Sequence, residues 1–219
     1  MNHRIDFYYD PISPYAYLAF AQLPEALQGL SVQVRYRPVL FAAMLKVGGQ
    51  KGPAEIAGTR EWTYRQVSWL AHRLGVPLDL PATHPFNPLA LLRLGLSAAD
   101  AEGCTNRWVT QQLFEHVWHG GADAAAPERV DALAQRLQSH VQDRGGVWLG
   151  PQDEGVKALL RSNTDAAIQA GVFGVPTCVW QDQVFWGLDA LPMLRDAIDG
   201  GDWFAQAHWV AAAQLPSGV

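Results

Sequence analysis

Two hydrophobic periodicities follow each other in the first 41 residues. Residues 3–10 and 30–41 alternate apolar and polar positions, which predicts two strands, whereas residues 14–28 carry apolar side chains at helical spacing. The positions that share one strand face are Ile5, Phe7 and Tyr9 in the first strand and Val32, Val34 and Tyr36 in the second. A strand–helix–strand order favours parallel pairing through a right-handed crossover. The chain is therefore expected to open as a βαβ unit.

Residues 53–170 carry helical periods and little strand pattern. The predicted helices span residues 53–75, 87–99, 97–121, 127–146 and 151–171. In the first of them, the residues at helical spacing are Ile56, Trp62, Val67, Trp69, Leu70 and Leu74. Glycines close several of these segments, as at Gly75, and Pro127 suits the first turn of the fourth. We expect a block of helices joined by loops rich in proline and glycine.

Strand signals return after Gly171. The runs VPTCVWQ and QVFWG, split by the sequence QDQ, indicate an antiparallel hairpin, and residues 188–201 predict a last helix with Pro192 in its first turn. The whole pattern predicts an α/β protein with a thioredoxin-like fold, β-α-β followed by β-β-α, interrupted by a large all-helical insertion. We expect residues 1–42 and 171–219 to form the thioredoxin-like domain and residues 43–170 to form the inserted helical domain.

Composition and charge exclude several classes of function. Of 219 residues, 49% are hydrophobic and 17% are charged, which predicts a packed core. A net charge of −5 without a basic run argues against nucleic-acid binding. The apolar stretches stop well short of the ~20 residues that span a membrane, and the N-terminal residues lack a signal-peptide core, so we expect a cytoplasmic protein. The spacing of Cys104 and Cys178 predicts two reduced, buried thiols.

Ser13 stands where the first strand meets the first helix. Pro14 suits the first position of a helix, so Ser13 is predicted to be the N-cap, a role worth ~1 kcal/mol. The same place has a functional interpretation, because a helix N-terminus favours negative charge and a hydroxyl there can donate to a thiolate. Both interpretations stay open on local sequence alone.

Several blocks carry a resemblance to a known family. The stretch FYYDPISPYAYLA resembles the opening of the 2-hydroxychromene-2-carboxylate isomerase and kappa-class glutathione transferase family, which shares the DsbA-like thioredoxin fold. Similar blocks follow in the family's order: GPAEIAGTREWTYRQVSWLAHRLGVPL, HPFNPLALLRL, VFGVPT and FWGLDALPML. Thioredoxin-like oxidoreductases carry C-x-x-C where this chain has Ser13-Pro14-Tyr15-Ala16, so dithiol exchange is excluded at this position.

The resemblance implies an enzyme that uses glutathione as cofactor. The expected activity is isomerisation of 2-hydroxychromene-2-carboxylate-type aromatic substrates by thiolate conjugate addition, rotation and elimination. A kappa-class-like glutathione transferase uses the same thiolate, and a non-catalytic glutathione-binding module is an alternative of a different class. Ser13 is the expected catalytic residue, polarising the thiolate without attacking.

The resemblance also implies a set of binding residues. Those expected to hold glutathione are Ser13, Tyr15, Gln50, Val175, Pro176, Leu188 and Asp189, with a cis bond before Pro176. Those expected to line an aromatic substrate pocket, together with Tyr15 and Trp69, are Phe41, Trp62, Asn87 and Trp186. By the same implication, the Val175 backbone pairs with the cysteinyl part, the Leu188 backbone holds the γ-glutamyl carboxylate and Asp189 receives the γ-glutamyl amine. Asn87 is also a candidate cap or turn residue.

The sequence departs from the family at two positions. Gln50 stands where the family often has Asn, and Thr59 stands where it often has Lys. Arg60 and Lys51 are the nearby cations that can replace that lysine at the glycine carboxylate of glutathione.

Metal binding and quaternary structure complete the expectations. His116 and His119 form H-x-x-H without a nearby acidic or sulfur set, so we expect no metal site. The resemblance implies a homodimer, and the apolar face of residues 201–215 is available either as an interface or as a cover for the core.

Overall fold

The protein has a four-stranded sheet with the strand order β2-β1-β3-β4. The strands are β1 (His3–Tyr9), β2 (Val32–Pro38), β3 (Thr177–Trp180) and β4 (Gln183–Trp186). β1 pairs parallel with β2 and antiparallel with β3, and β3 pairs antiparallel with β4. The predicted fold class and hairpin are thereby confirmed. Gln181 and Asp182, with φ of 49° and 62°, form the two-residue hairpin turn with both central residues left-handed.

A computed structural model describes residues 2–216. Met1 and residues 217–219, which belong to the predicted thioredoxin-like segments, lie outside the described part. Within that part, the helices are α1 (Pro14–Ala26), α2 (Phe41–Val47), α3 (Thr59–Leu74), α4 (Leu89–Ser97), α5 (Arg107–Trp118), α6 (Pro127–Gln142), α7 (Glu154–Gln169), α8 (Leu191–Ile198) and α9 (Ala207–Ala212). Pro127 and Pro192 lie in the first turns of α6 and α8, as predicted.

Several predicted boundaries are wrong, and three of them have a local cause, which is a side-chain contact in two and a glycine conformation in the third. The strand predicted over residues 30–41 ends at Pro38, because the Phe41 N–H bonds to the Asp10 carboxylate at 3.1 Å and starts α2. The helix predicted over residues 97–121 begins only at Arg107, where the Asn106 side chain accepts the N–H of Val109 at 2.9 Å. The helix predicted from residue 53 starts with an isolated turn and resumes as α3 after Gly58, which has a φ of 81°.

Aromatic residues join the helical segment to the sheet in one hydrophobic cluster. Phe114 of α5 packs on Tyr9 of β1 and on Tyr17 and Phe20 of α1, with ring centroids 5.3, 5.8 and 5.2 Å apart. These contacts press α5 against the buried side of α1, whose first turn faces the cavity described below. The boundary of the inserted domain at residues 43–170 stays a prediction.

Other expectations can be compared with the described residues. Cys104 and Cys178 are both free and buried, as predicted. No helix within residues 2–216 has the length and apolar character needed to cross a bilayer. In the tail, Phe204 packs against the core while Trp203 is 47% exposed, so this segment is shared between core and surface. The homodimer stays a prediction.

Candidate functional site

A cavity of about 1420 Å³ opens at the start of α1, between the sheet hairpin and the helical segment. Ten of the twelve site residues predicted from the sequence line it: Ser13, Tyr15, Phe41, Gln50, Asn87, Val175, Pro176, Trp186, Leu188 and Asp189. These residues come from both ends of the chain and from the helical segment. The fold therefore brings together nearly the whole predicted set.

Ser13 caps α1 and faces the loop before β3. Its Oγ accepts the N–H of Ala16 at 3.2 Å, as expected of an N-cap, and donates to the carbonyl of Val175 at 3.4 Å. The residue is only 6% exposed. The hydroxyl thus lies at the positive end of the α1 dipole and at the wall of the cavity.

The Val175-Pro176 peptide bond is cis, as expected from the resemblance. The Thr177 hydroxyl donates to the Gly174 carbonyl at 2.7 Å, and the Gly187 N–H donates to the Pro176 carbonyl at 2.9 Å. These two bonds fix the loop before β3 against the end of β4. The Val175 backbone is therefore held beside Ser13.

Asp189 lies on a short turn, Leu188–Ala190, between β4 and α8. The turn follows Gly187. Its φ of 101° would be strained for any residue with a Cβ. A Cβ at Gly187 would also collide with the Asp189 carboxylate. Asp189 is exposed at the cavity rim, where a cationic group of a ligand can reach it.

The loop after α2 supplies a cation, Lys51, to the cavity wall. Gln50, Lys51 and Gly52 line the cavity, and the Gly52 N–H is fixed by the Glu55 carboxylate at 2.8 Å. Arg60 points elsewhere, because its guanidinium donates to the carbonyls of Ala54 and His84 at 3.2 and 2.6 Å. Of the two cations that the sequence left open, Lys51 is thus the one at the cavity.

Aromatic side chains form the apolar wall. Phe41 and Trp186 line the cavity as expected, and Phe173, which the sequence reasoning missed, packs on Trp186 with centroids 4.9 Å apart. The Tyr15 hydroxyl donates to Gln66 at 2.7 Å, so its ring edge is fixed against α3. Asn87 accepts the N–H of Leu89 at 3.1 Å and is a turn residue as well as a lining residue.

The expectation for Trp62 and Trp69 is wrong. Both project from α3 toward solvent, with 63% and 56% of their surface exposed, and neither lines the cavity. The side of α3 that lines the cavity carries Thr63, Gln66, Leu70 and Leu74. A single residue turns the helix by about 100°, so Trp62 and Trp69 lie on a different face from their neighbours Thr63 and Leu70.

The two histidines of H-x-x-H bond to different partners. His116 Nε2 donates to the Ala124 carbonyl at 2.9 Å, and His119 Nε2 lies 2.8 Å from the Tyr17 hydroxyl. Residues 2–216 contain no group of three side chains suited to hold a metal ion.

Comparison with known proteins assigns the family. Residues 4–199 match the DSBA-like thioredoxin domain. The chain belongs to this family. In this DSBA-like thioredoxin domain, however, Ser13 stands where dithiol members carry their first cysteine. The two thiols of this chain, Cys104 and Cys178, lie elsewhere. Burial raises the pKa of the Cys178 thiol to about 12, which makes it a poor nucleophile.

Individual relatives are isomerases and transferases. The chain is 29% identical over 200 residues to 2-hydroxychromene-2-carboxylate isomerase of Sphingobium xenophagum, covering 89% of this chain and 97% of that protein. It is 34% identical over 217 residues to glutathione S-transferase kappa 1 of Caenorhabditis elegans, covering 89% and 90%. A solved structure of 2-hydroxychromene-2-carboxylate isomerase shares the fold, with a TM-score of 0.74, 23% identity, and coverage of 98% of this chain and 100% of that one. These relatives support an isomerase or glutathione-transferase-like role.

Asp10 and His84 also line the cavity of this DSBA-like thioredoxin domain, and the sequence reasoning missed them as it missed Phe173. Asp10 is fully buried, and burial raises the pKa of its carboxyl to about 7 although two peptide N–H groups, of Ile12 and Phe41, oppose the shift. His84 is partly buried, which lowers the pKa of its imidazole. Asp10 lies three residues before Ser13, and that proximity was the one signal in the sequence. Nothing local marks His84, because its partner Ile12 is 72 residues away.

Proposed function

We propose that the protein is a glutathione-dependent isomerase that interconverts 2-hydroxychromene-2-carboxylate-type aromatic substrates and their ring-opened benzylidenepyruvate forms. The observation that carries the proposal is the Ser13 hydroxyl, placed at the N-terminus of α1, beside the Val175 carbonyl and on a large cavity. The isomerase relatives support the substrate class, and the kappa transferase relatives support the use of glutathione.

The residues of the cavity fit glutathione from one end to the other. In the proposed arrangement, the Leu188 backbone and the Asp189 carboxylate receive the carboxylate and the amine of the γ-glutamyl group. The Val175 backbone, next to Pro176, pairs with the cysteinyl part. Gln50 and Lys51 receive the glycine carboxylate, because Lys51 lines the cavity whereas the guanidinium of Arg60 is bonded to two carbonyls.

In this proposal, Ser13 donates a hydrogen bond to the sulfur of glutathione and does not itself attack the substrate. A hydroxyl donor and the positive end of a helix both stabilise a thiolate, so together they lower the pKa of a thiol held there. When bound, glutathione supplies the thiolate that adds to the conjugated substrate and is eliminated after single-bond rotation. The role of this chain is to keep that thiolate ionised and aimed.

Phe41, Phe173 and Trp186 give the cavity an apolar wall for a flat aromatic substrate. Trp186 is 53% exposed, so the wall reaches the mouth of the cavity. Burying an aromatic ring against such a wall is favourable by ~25 cal/mol per Å² of apolar surface removed from water. In the proposed arrangement, the ring lies on this wall and its conjugated side chain points toward Ser13.

The decisive experiment measures turnover of 2-hydroxychromene-2-carboxylate with and without glutathione, in the wild type and in Ser13→Ala. Loss of one charged hydrogen bond corresponds to ~1.5–3 kcal/mol, so we expect kcat/KM to fall about 10- to 100-fold. Asp153→Ala is the matched control. The Asp153 side chain caps α7 by accepting the Gly155 N–H at 2.8 Å, and Asp153 does not line the cavity.

The outcomes separate the alternatives. Full activity in glutathione-free protein would remove the cofactor, and an equal effect of Ser13→Ala and Asp153→Ala would reduce Ser13 to a structural cap. Formation of a stable conjugate without isomerisation would favour a kappa-class-like transferase, which the 34% identity to such a protein makes the second candidate. Glutathione binding without either reaction would favour a non-catalytic module.

A further inference from the structure

The turn that presents Ser13 has its backbone fixed almost entirely by buried partners. The Trp118 Nε1–H donates to the Pro11 carbonyl at 2.9 Å. The Ile12 N–H donates to Asp10 Oδ1 at 3.1 Å, and the Ile12 carbonyl lies 2.7 Å from His84 Nε2. The Ser13 N–H donates to the Asp10 carbonyl at 3.0 Å. Two ionisable side chains thus hold the two polar groups of Ile12.

Each of these side chains is also anchored to a different wall of the cavity. Asp10 Oδ2 accepts the N–H of Phe41 at the start of α2, at 3.1 Å. His84 Nδ1 lies 2.7 Å from the Tyr64 hydroxyl of α3. The residue before Ser13 is therefore linked to α2 through Asp10 and to α3 through His84.

The carbonyl of Ile12 determines the tautomer of His84. A carbonyl can only accept, so Nε2 carries the hydrogen, and in the neutral ring Nδ1 accepts from the Tyr64 hydroxyl. Burial lowers the pKa of His84 and so favours this neutral form. Phe86 and Trp118 pack on the ring, with centroids 6.0 and 5.4 Å away, and hold its plane.

We propose that Asp10 and His84 are positioning residues for the Ser13 hydroxyl, because Asp10 holds the N–H of the Pro11–Ile12 peptide and His84 holds the carbonyl of the Ile12–Ser13 peptide, so that Oγ keeps its aim at a bound thiolate. This inference rests on the proposed function. Burying ionisable groups is costly, and apolar side chains would fill the same space more cheaply. Apolar side chains cannot fix the orientation of a peptide group by hydrogen bonds. The two peptide groups that flank Ile12 set the direction of the Ser13 side chain.

The test compares His84→Leu with His116→Leu. His116 is a matched control, because its Nε2 also donates to a backbone carbonyl, that of Ala124 at 2.9 Å, and because its side chain is more buried than that of His84. The measured quantity is the pKa of the thiol of bound glutathione, followed by ultraviolet absorbance of the thiolate. We expect His84→Leu to raise the pKa of this thiol by about one unit. Below the raised pKa, kcat should fall roughly tenfold. His116→Leu should leave it unchanged.

Conservative variants keep the test sharp if His84→Leu folds poorly. His84→Gln retains a donor that can reach the Ile12 carbonyl and should restore the wild-type thiol pKa. Tyr64→Phe removes the hydroxyl that lies 2.7 Å from Nδ1 and 3.2 Å from the His84 carbonyl, while Nε2 keeps its partner, and it should shift the thiol pKa in the same direction by a smaller amount. An unchanged thiol pKa in His84→Leu, or an equal shift in His116→Leu, would overturn the proposal.

A measurement without ligand separates this inference from the proposed function. Amide hydrogen exchange of Ile12 and Ser13 should accelerate in His84→Leu and stay at the wild-type rate in His116→Leu. If the wild type binds no glutathione, the proposed function falls, and the exchange rates alone decide whether His84 holds the turn. Exchange that does not respond to His84→Leu would overturn the positioning role.

Discussion

At the scale of single residues, one hydroxyl serves two purposes. Ser13 accepts the Ala16 N–H as an ordinary helix cap and still donates to the Val175 carbonyl at 3.4 Å. The latter bond is long, so its hydrogen can turn to a stronger acceptor such as a thiolate without much loss. The structural role and the proposed chemical role are therefore compatible in one side chain.

Asp10 makes a prediction about stability and pH. Because burial raises the pKa of this carboxyl from 3.8 to about 7, the folded state holds a proton that the unfolded state releases. The stabilisation is complete below pH ~4 and is lost as pH rises to ~7, a change of ~4 kcal/mol for this group. Urea unfolding of Asp10→Asn should lose this dependence on pH.

Asp123→Asn is the control for that measurement. Asp123 also accepts a backbone N–H two residues on, that of Ala125 at 2.9 Å, but it is exposed. Its variant should keep the wild-type fall in unfolding free energy between about pH 4 and about pH 7. Parallel curves for wild type and Asp10→Asn would show that Asp10 does not titrate in this range.

Lys51 makes a prediction about affinity. If its ammonium receives the glycine carboxylate, Lys51→Ala should weaken glutathione binding about 10- to 100-fold, the worth of a charged hydrogen bond. Calorimetry with glutathione ethyl ester, which lacks that charge, should show similar affinities for wild type and variant. Lys46→Ala, on the exposed end of α2, should bind like the wild type. A loss in Arg60→Ala but not in Lys51→Ala would make the assignment wrong.

At the scale of elements, the end of β4 links two parts of the site. Gly187 donates its N–H to the Pro176 carbonyl and leads directly into the turn that carries Asp189. Gly187 is thus connected to both segments. A change of its backbone conformation would move both the loop before β3 and the Asp189 carboxylate at the rim. The hairpin β3–β4 is thus the element that coordinates these two groups.

Gly187→Ala tests this link. Its φ of 101° is strained for alanine, at a cost of ~1–3 kcal/mol, and the new Cβ would displace the Asp189 carboxylate. We expect lower unfolding free energy together with weaker glutathione binding. Gly29→Ala is the control, since Gly29 has a φ of 83° but no atom near its Cβ position, so it should lose stability alone. Equal glutathione affinity in both variants would contradict the proposed role of the turn.

At the scale of the whole molecule, Phe114 joins the helical segment to the sheet. It packs on Tyr9, Tyr17 and Phe20 and is fully buried. Because these contacts cross the predicted boundary at residue 43, we expect the two segments to unfold together. Phe114→Ala should lower the unfolding free energy by ~3–5 kcal/mol and keep a single transition.

Trp108→Ala is the control on the same helix. Trp108 is 38% exposed and stacks on His140 away from the core, so its removal should cost much less. Calorimetry and urea unfolding followed by two probes would check both variants. Two separate transitions in Phe114→Ala would show that residues 43–170 are an independent folding unit.

Features that depend on neighbours close in the chain could be predicted from the sequence. Alternating positions and short apolar runs predicted the four strands, helical periods predicted most helices, and Pro14, Pro127 and Pro192 marked the first turns of three helices. The cap at Ser13 was predictable for the same reason, because a cap bonds to an N–H three residues away. The resemblance added the cis bond at Pro176 and the set of residues around the cavity.

Tertiary packing selects the face that each element presents and the polar groups that are buried. The periodicity of α3 is the same whether Trp62 or Thr63 faces the cavity, and packing selected Thr63. The start of α2 at Phe41 depends on Asp10, 31 positions earlier, and the contact between His84 and Ile12 spans 72. Desolvation and hydrogen bonds across such distances depend on the folded arrangement, and a local pattern contains no record of them.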